Sequence, residues 1–237
     1  GGNGSVILNA DNTVTYTPKA DFHGKDDFRY KVTDGISGSR WGEVSVDVVP
    51  VNDPPVNTVP GPQTVDEDTP LLFSSGNGNA VSISDDAGSR DIQVTASVIN
   101  GVLSLNGTTG LIFNTGDGSS DRIMIFTGSP TNINAALDGL VYTPDADDNG
   151  DDTLTISTND QGNYGIGGGL TDTDTVAITV NPVNDAPVNT VPGAQTVDED
   201  TPLVFNAANN NLLSIADIDA GSGNLMTTVN VGNGVLN

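Results

Sequence analysis

The sequence predicts an all-β fold of tandem β-sandwich modules with one short helical turn. Its apolar residues are largely Val, Ile and Leu, and its polar residues are rich in Thr, Asn, Asp and Gly, a composition typical of strands and turns. One long segment occurs twice, and short alternating stretches bounded by Gly, Asn, Asp and Pro fill the space between the copies. Several short strands separated by turns favour a sandwich over a helical fold.

The repeat defines the predicted domain organisation. Residues 51–73 read VNDPPVNTVPGPQTVDEDTPLLF, and residues 183–205 read VNDAPVNTVPGAQTVDEDTPLVF. A fainter echo links residues 13–28 with residues 139–154. Such self-similarity indicates a tandem array. The sequence therefore predicts the second half of one module at residues 1–53 (the N-terminal segment), a complete module at 54–185 (the central module) and the first half of a third at 186–237 (the C-terminal segment).

Local patterns predict the elements of the central module. A capped helical turn is expected at residues 131–137, where Gly139 can supply a positive φ after the last turn. Pro54, Pro55 and Pro187 cannot donate ladder hydrogen bonds, so strands should end at the two VND segments and leave short, semi-rigid joints. Alternation predicts strands near residues 71–73, 81–83, 93–98, 102–105, 122–127, 154–158 and 175–180.

Charge and composition exclude several classes of function. The chain has 31 acidic and 7 basic residues and a net charge of −24, which makes nucleic acid an improbable partner and an anionic membrane a repulsive one. The absence of cysteine excludes disulfides, a thiol nucleophile and cysteine-ligated zinc. No apolar run long enough to span a membrane and no signal peptide is found, so an exported parent is expected to carry its export signal outside this sequence. No constellation of acid, base and nucleophile indicates an enzyme.

Several motifs are interpreted without a ligand. An Asp in a turn commonly accepts hydrogen bonds from nearby amides. Residues 145–152, DADDNGDD, have the opening spacing of a helix-loop-helix calcium loop, but Ile156 stands where the final Glu is needed, so a tight turn is favoured. His23 has no marked triad partner and is expected at the surface. The glycine-rich residues 165–170 are interpreted as a flexible hairpin tip.

Four runs carry a resemblance to a known family. YKVTDG at 30–35, EVSVDVVPVNDPPV at 43–56, TVDEDTP at 196–202 and ADIDAGSGN at 216–224 resemble the cadherin-like repeats of large bacterial surface adhesins. The resemblance implies Greek-key, cadherin- or Ig-like sandwiches and a non-catalytic spacer or adhesion role outside the cell, at the bacterial surface. It also implies adjacent repeats of the same polypeptide as partners and calcium between successive modules. The alternative is a glycan- or protein-binding module of a surface or secreted protein.

The resemblance further implies which residues hold calcium. At the first joint, between the N-terminal segment and the central module, the implied ligands are Asn52, Asp53, Asp85, Asp86 and Asp160. At the second joint, between the central module and the C-terminal segment, they are Asp66, Glu67, Asp68, Asn184, Asp185, Asp217 and Asp219. Calcium takes six to eight oxygen ligands, and carboxylates drawn from several loops can supply them. Without an ion these carboxylates repel one another.

Overall fold

The computed structural model describes residues 2–236, and the chain divides into two compact units with the boundary between Val180 and Asn181. The first unit contains one α-helix, α1 (Pro130–Leu137), and a 3-10 turn at Ser75–Asn77. Its strands are β1 (Gly4–Leu8), β2 (Val14–Pro18), β3 (Gly24–Thr33), β4 (Ser39–Val48), β5 (Val56–Thr58), β6 (Gln63–Asp66), β7 (Leu71–Phe73), β8 (Ser82–Ser84), β9 (Ile92–Ser97), β10 (Gly101–Ser104), β11 (Ile112–Thr115), β12 (Ile123–Gly128), β13 (Leu140–Pro144), β14 (Gly150–Asn159) and β15 (Thr171–Asn181). The second unit contains β16 (Val188–Thr190), a 3-10 turn at Ala207–Asn209 and β17 (Ser214–Ala216).

Two sheets enclose the core of the central module. One is six-stranded in the order β11-β12-β9-β14-β15-β6, the other is three-stranded in the order β10-β13-β7, and β5 pairs with β8 beside them. Burial alternates along β9, β12 and β14, so every second side chain points into the core. Phe126, Leu154 and Ile156 are fully buried there. The predicted all-β sandwich class is confirmed.

The N-terminal segment repeats part of this architecture. Strands β1 and β2 pair with Gly4 opposite Pro18, as β10 and β13 pair with Gly101 opposite Pro144. A Cβ at Gly4 would lie 2.5 Å from the ring of Tyr16, and Gly101 faces the equivalent tyrosine in the same way, so both positions need glycine. Strands β11 and β12 and helix α1 have no counterpart between β1 and β2 in the described chain. The fainter sequence echo therefore corresponds to a shared strand register.

A buried tyrosine ties the two sheets of the central module together. Tyr142 is fully buried, and its Oη lies 2.9 Å from Asp152 Oδ2 and 3.0 Å from the carbonyl oxygen of Asn100. Burial, followed by the hydrogen bond to Asp152, raises the pKa of Tyr142. The half-buried Tyr16 repeats this contact, donating to Asp26 Oδ2 at 2.9 Å. Tyr142 thus packs inside the central module, and Tyr16 packs partly inside the N-terminal segment.

The observed elements extend the sequence-based prediction. All seven strands predicted in the central module are present, β7 with the predicted bounds and the others with bounds that differ by up to four residues, and the strands of this module that alternation missed are β5, β6, β11 and β13. Helix α1 begins one residue earlier than predicted because Ser129 caps it, accepting the amide of Asn132 at 3.3 Å. Gly139 adopts φ +114°, as expected after the helix end. Among residues 2–236, no helix is long and apolar enough to cross a membrane.

Candidate metal centre

The loop between β14 and β15 forms one side of the candidate site. Asp160 follows the last residue of β14 and is 1% exposed. Its Oδ1 accepts hydrogen bonds from the amides of Gly162 and Leu170, each at 2.8 Å. Asp160 Oδ1 thus joins the two ends of the loop formed by residues 161–170, and Asp160 Oδ2 makes other contacts.

Asn52 reaches this carboxylate from the first VND linker. Its Nδ2 donates to Asp160 Oδ2 at 2.6 Å and to the carbonyl oxygen of Gly168 at 3.3 Å, and the residue is 6% exposed. Because a carboxylate and a carbonyl only accept, these bonds fix which end of the amide faces them. The other end, Oδ1, is buried and has no hydrogen-bond partner.

Asp85 and Asp86 add two more oxygens of the same kind. Both follow β8 and are half-buried. Asp85 Oδ1 accepts the amide of Ala87 at 2.7 Å, but Asp85 Oδ2 and Asp86 Oδ1 are buried without a partner. Burial raises the pKa of Asp85, and the charges of Asp86, Asp160 and Asp53 raise it further against the opposing bond from Ala87. The carboxylates of Asp53, Asp85, Asp86 and Asp160 therefore lie close enough for the charges of the other three to act on Asp85.

Among residues 2–236, none of these four carboxylates forms an ion pair, although Lys19 lines the groove that Asp53 and Asp86 border. In the part of the chain that the structure describes, the ion pairs are Arg29–Glu43 at 3.2 Å and Arg122–Asp145 at 2.6 Å, and neither involves the linker. The exposed Asp53 and the half-buried Asp86 line an adjoining groove of about 320 Å³. Carboxylate and amide oxygens without sulfur or nitrogen ligands suit a hard cation such as calcium. The buried oxygens of Asn52, Asp85 and Asp86 are thus of the type that such an ion prefers.

The acidic residues expected at the second joint fall in both units. In the first unit, Glu67 is 2% exposed, and its Oε2 accepts from Asn149 Nδ2 at 3.3 Å. Asp68 is exposed in the left-handed region at φ +60°, and its carboxylate oxygen lies within 4.8 Å of one from Asp147. Asp66, at the end of β6, is exposed.

The remaining residues expected at the second joint lie in the second unit. Asn184 Nδ2 donates to the carbonyl oxygen of Asp185 at 2.8 Å, and the amide of Asp185 donates to Asp219 Oδ2. Asp217 Oδ1 accepts the amides of Asp219 at 3.1 Å and of Ala220 at 2.9 Å. The structure thus brings the VND aspartate to the Asp-x-Asp loop inside this unit. Sharing of an ion with carboxylates of the first unit stays a prediction.

Sequence reasoning missed some polar residues near these sites. Asp172, near the start of β15, accepts the amide of Asn57 through Oδ2 at 2.7 Å. Asp147 was expected only in a tight turn, which its φ of +56° supports, and its approach to Asp68 depends on chain positions far apart in sequence. Residues 165–170 do not form a free hairpin tip, because Ile166 pairs with Val51 in a parallel bridge.

The chain is similar to known proteins over different parts of its length. A family model of the cadherin-like domain matches residues 1–49. Protein GAMETE EXPRESSED 2 of Arabidopsis thaliana is 28% identical over 201 residues, 81% of this chain and 21% of that protein, so the chain spans about a fifth of that relative. A cohesin module from a Clostridium perfringens ATCC13124 family 33 glycoside hydrolase is 12% identical with a TM-score of 0.35, covering 54% of this chain and 98% of the module. The N-terminal segment is thus similar to cadherin-like domains.

Proposed function

We propose that this chain is a non-catalytic spacer of extracellular repeats in which calcium, bound at the linkers, fixes consecutive modules. The observation that carries the proposal is a set of buried oxygens without partners, Asn52 Oδ1, Asp85 Oδ2 and Asp86 Oδ1. Leaving one buried polar atom unsatisfied costs about 1–3 kcal/mol. Three such atoms beside one linker support a ligand that supplies positive charge.

The donor chemistry favours calcium over other common ions. Zinc prefers nitrogen and sulfur, whereas this set contains only oxygen, and magnesium demands a smaller octahedral shell and retains its waters. Asp53, Asp85, Asp86 and Asp160 would supply the negative charge, and Asn52 would supply a neutral carbonyl oxygen. Extracellular calcium modules bind at about 10⁻⁴ to 10⁻³ M. A site of this kind fills where calcium is millimolar, which supports a location outside the cell.

The ion would couple the linker to the central module. Asn52 and Asp53 belong to the linker, while Asp85, Asp86 and Asp160 belong to loops of the sandwich. An ion bound by both groups makes the linker an extension of the module. Without the ion, the carboxylates repel one another across the joint.

The wider organisation belongs to the same proposal. The second VND linker, with Asn184 and Asp185, would repeat the arrangement between the central module and the C-terminal segment, with boundaries at residues 53/54 and 185/186. Glu67 and its neighbours would contribute from one side, and Asp217 and Asp219 from the other. The partners would then be adjacent repeats of one long polypeptide, such as a bacterial surface adhesin. The N-terminal match to the cadherin-like domain supports this organisation.

The position of the aromatic side chains gives less support to a glycan-binding role. Phe73, Phe126 and Tyr142 are fully buried in the central module, and its described residues present no cluster of exposed aromatic rings. Trp41 is 68% exposed, but it lies in the N-terminal segment with Lys31 Nζ 5.8 Å from the ring centroid. Tyr30 of the same segment is also exposed, at 49%, but both rings lie outside the central module. They support a ligand platform less strongly than the three unpartnered oxygens support a cation.

Thermal unfolding in calcium and in chelator tests the proposal. With a dissociation constant of about 10⁻⁴ to 10⁻³ M, 10 mM calcium should stabilise the folded state by about 1.4–2.7 kcal/mol. For a unit of this size the melting temperature should rise by roughly 3–10 °C. Magnesium at equal ionic strength is the control. A midpoint that responds equally to both ions, or to neither, would contradict calcium binding.

A further inference from the structure

We propose that residues 161–170, here called the linker clasp, hold the first linker through backbone hydrogen bonds that need no ion. The amide of Ile166 donates to the carbonyl oxygen of Pro50 at 2.8 Å, and the amide of Asn52 donates to the carbonyl oxygen of Ile166 at 3.1 Å. Together they form a parallel bridge between Val51 and Ile166. The linker is thus hydrogen-bonded on both sides of Val51 by one residue of the clasp.

The clasp is anchored at its base and along its length. Asp160 Oδ1 joins both arms, and the amide of Asp160 donates to the carbonyl oxygen of Leu170 at 3.1 Å. Tyr164 contacts the two segments that the clasp connects. Its ring meets the ring of His23 edge-on at a centroid separation of 5.5 Å, and the guanidinium carbon of Arg90 lies 4.9 Å from the centroid. These contacts limit the freedom that a glycine-rich loop would otherwise have.

Gly165 is the residue that permits the close approach. A Cβ at this position would lie 2.6 Å from the carbonyl carbon of Val51 and 2.7 Å from the amide nitrogen of Asn52. These neighbours are backbone atoms that cannot rotate away. Gly165 also adopts φ +75°, which a residue with a side chain adopts only with strain. Glycine is therefore required for two reasons: the linker backbone leaves no room for a Cβ, and the turn needs a positive φ.

The clasp also positions a residue of the proposed calcium site, and this part of the inference rests on the proposed function. The hydrogen bond between the Asn52 amide and Ile166 fixes the backbone from which the Asn52 side chain reaches Asp160. If the joint opens, the ion loses its linker ligands, so the apparent affinity falls with the closed fraction. Gly165 and Ile166 are therefore positioning residues, which act through Asn52.

Two measurements test the clasp. In the first, amide exchange is followed by NMR on the unmodified chain in chelator. The amides of Asn52 and Ile166 should exchange at least tenfold more slowly than those of Gly167 and Gly168. Equal exchange rates without calcium would overturn an ion-independent clasp. This measurement stands even if the chain binds no calcium, so it separates failure of the clasp from failure of the proposed function.

The second measurement compares two glycine substitutions by calorimetric calcium titration. Gly165→Ala should weaken calcium binding at least tenfold, because it opens the joint. Gly107→Ala, far from the linker in sequence and outside the clasp, is the matched control, since no atom lies within 4 Å of a Cβ there and its φ is outside the strained range; its affinity should stay within twofold of the parent. Exchange of the β14 amides should be unchanged in both variants, which shows that the sandwich remains folded. Equal calcium affinities for the two variants would refute a positioning role for Gly165.

Discussion

Replacing Asp85 with asparagine tests two opposite effects of the carboxylate cluster. Without an ion its charges destabilise the fold, and with calcium they bind the ion. Asp85→Asn retains an oxygen that can accept the Ala87 amide but removes one negative charge from the neighbourhood of Asp53, Asp86 and Asp160. The structure places Asp85 Oδ2 in a buried position without a partner. In chelator, the substitution should therefore stabilise the first unit. The amide nitrogen that replaces Oδ2 stays buried, so the gain comes from removing a charge that repels its neighbours, about 1 kcal/mol at the water-like end of the range for one charge pair.

Calcium should reverse part of this gain. At a concentration 100-fold above the dissociation constant, the ion stabilises the parent chain by about 2.7 kcal/mol. A tenfold weaker site reduces this calcium-dependent increment to about 1.4 kcal/mol at the same concentration. Urea unfolding at fixed pH, with 10 mM calcium and with chelator, gives both quantities. An unchanged increment, or a loss of stability in chelator, would falsify the assignment of Asp85 as a ligand.

The control for this substitution is another aspartate in a turn. Asp138 accepts hydrogen bonds from the amide and hydroxyl of Ser75, each at 2.8 Å, and has no part in the proposed site. Asp138→Asn should reduce stability equally in calcium and in chelator and leave the calcium increment unchanged. A reduced increment for this variant would show that calcium acts through general charge rather than through the linker set.

Three further outcomes are expected. Asn52→Asp replaces the donor to Asp160 with a like charge, so urea unfolding should show lower stability in chelator and a larger calcium increment; a smaller increment would count against the linker ligand. Tyr142→Phe should cost about 1–3 kcal/mol because it removes a buried hydroxyl donor, and Tyr16→Phe should cost less because its ring is only half-buried; equal costs by urea unfolding would contradict this difference. Hydrogen bonds from Ser75 hold the pKa of Asp138 below 3.8, so its stabilising contribution is present above pH 3.8 and is lost as pH falls below it; acid unfolding of Asp138→Asn should lack this contribution, and identical acid transitions would refute it.

The sequence anticipated the fold class because sandwich strands carry a local signature. Alternation along β9, β12 and β14 marks the inward side chains without reference to a partner strand. Strands β5 and β11 are short and carry little periodicity, so local alternation could not reveal them. The first-joint residues were expected from the family resemblance. Their burial and the missing partners of their oxygens emerged only from packing, because these depend on loops far apart in the chain.

The linker clasp could not be predicted from local sequence either. Residues 165–170 suggest mobility when considered alone, because glycine has no side chain to restrict the backbone. In the structure, the absence of a side chain at Gly165 allows the backbone of the linker to approach, and this contact orders the loop. Composition shows that a glycine is present. It does not show whether that glycine makes the loop flexible or lets another backbone segment approach closely.

The repeated segment separates what sequence determined from what tertiary structure decided. Its acidic turn forms in both copies: the amide of Thr69 donates to the carbonyl oxygen of Asp66 at 3.2 Å and that of Thr201 to Asp198 at 3.3 Å, and Asp68 and Asp200 adopt φ +60° and +62°. The strands do not. Residues 63–66 and 71–73 are strands in the central module, whereas the equivalent residues 195–198 and 203–205 are not. The turn closes its hydrogen bonds within a few residues, so sequence alone specifies it. Strands β6 and β7 hydrogen-bond to β15 and β13 from the second half of the module, so the same sequence becomes a strand only where that half is packed beside it.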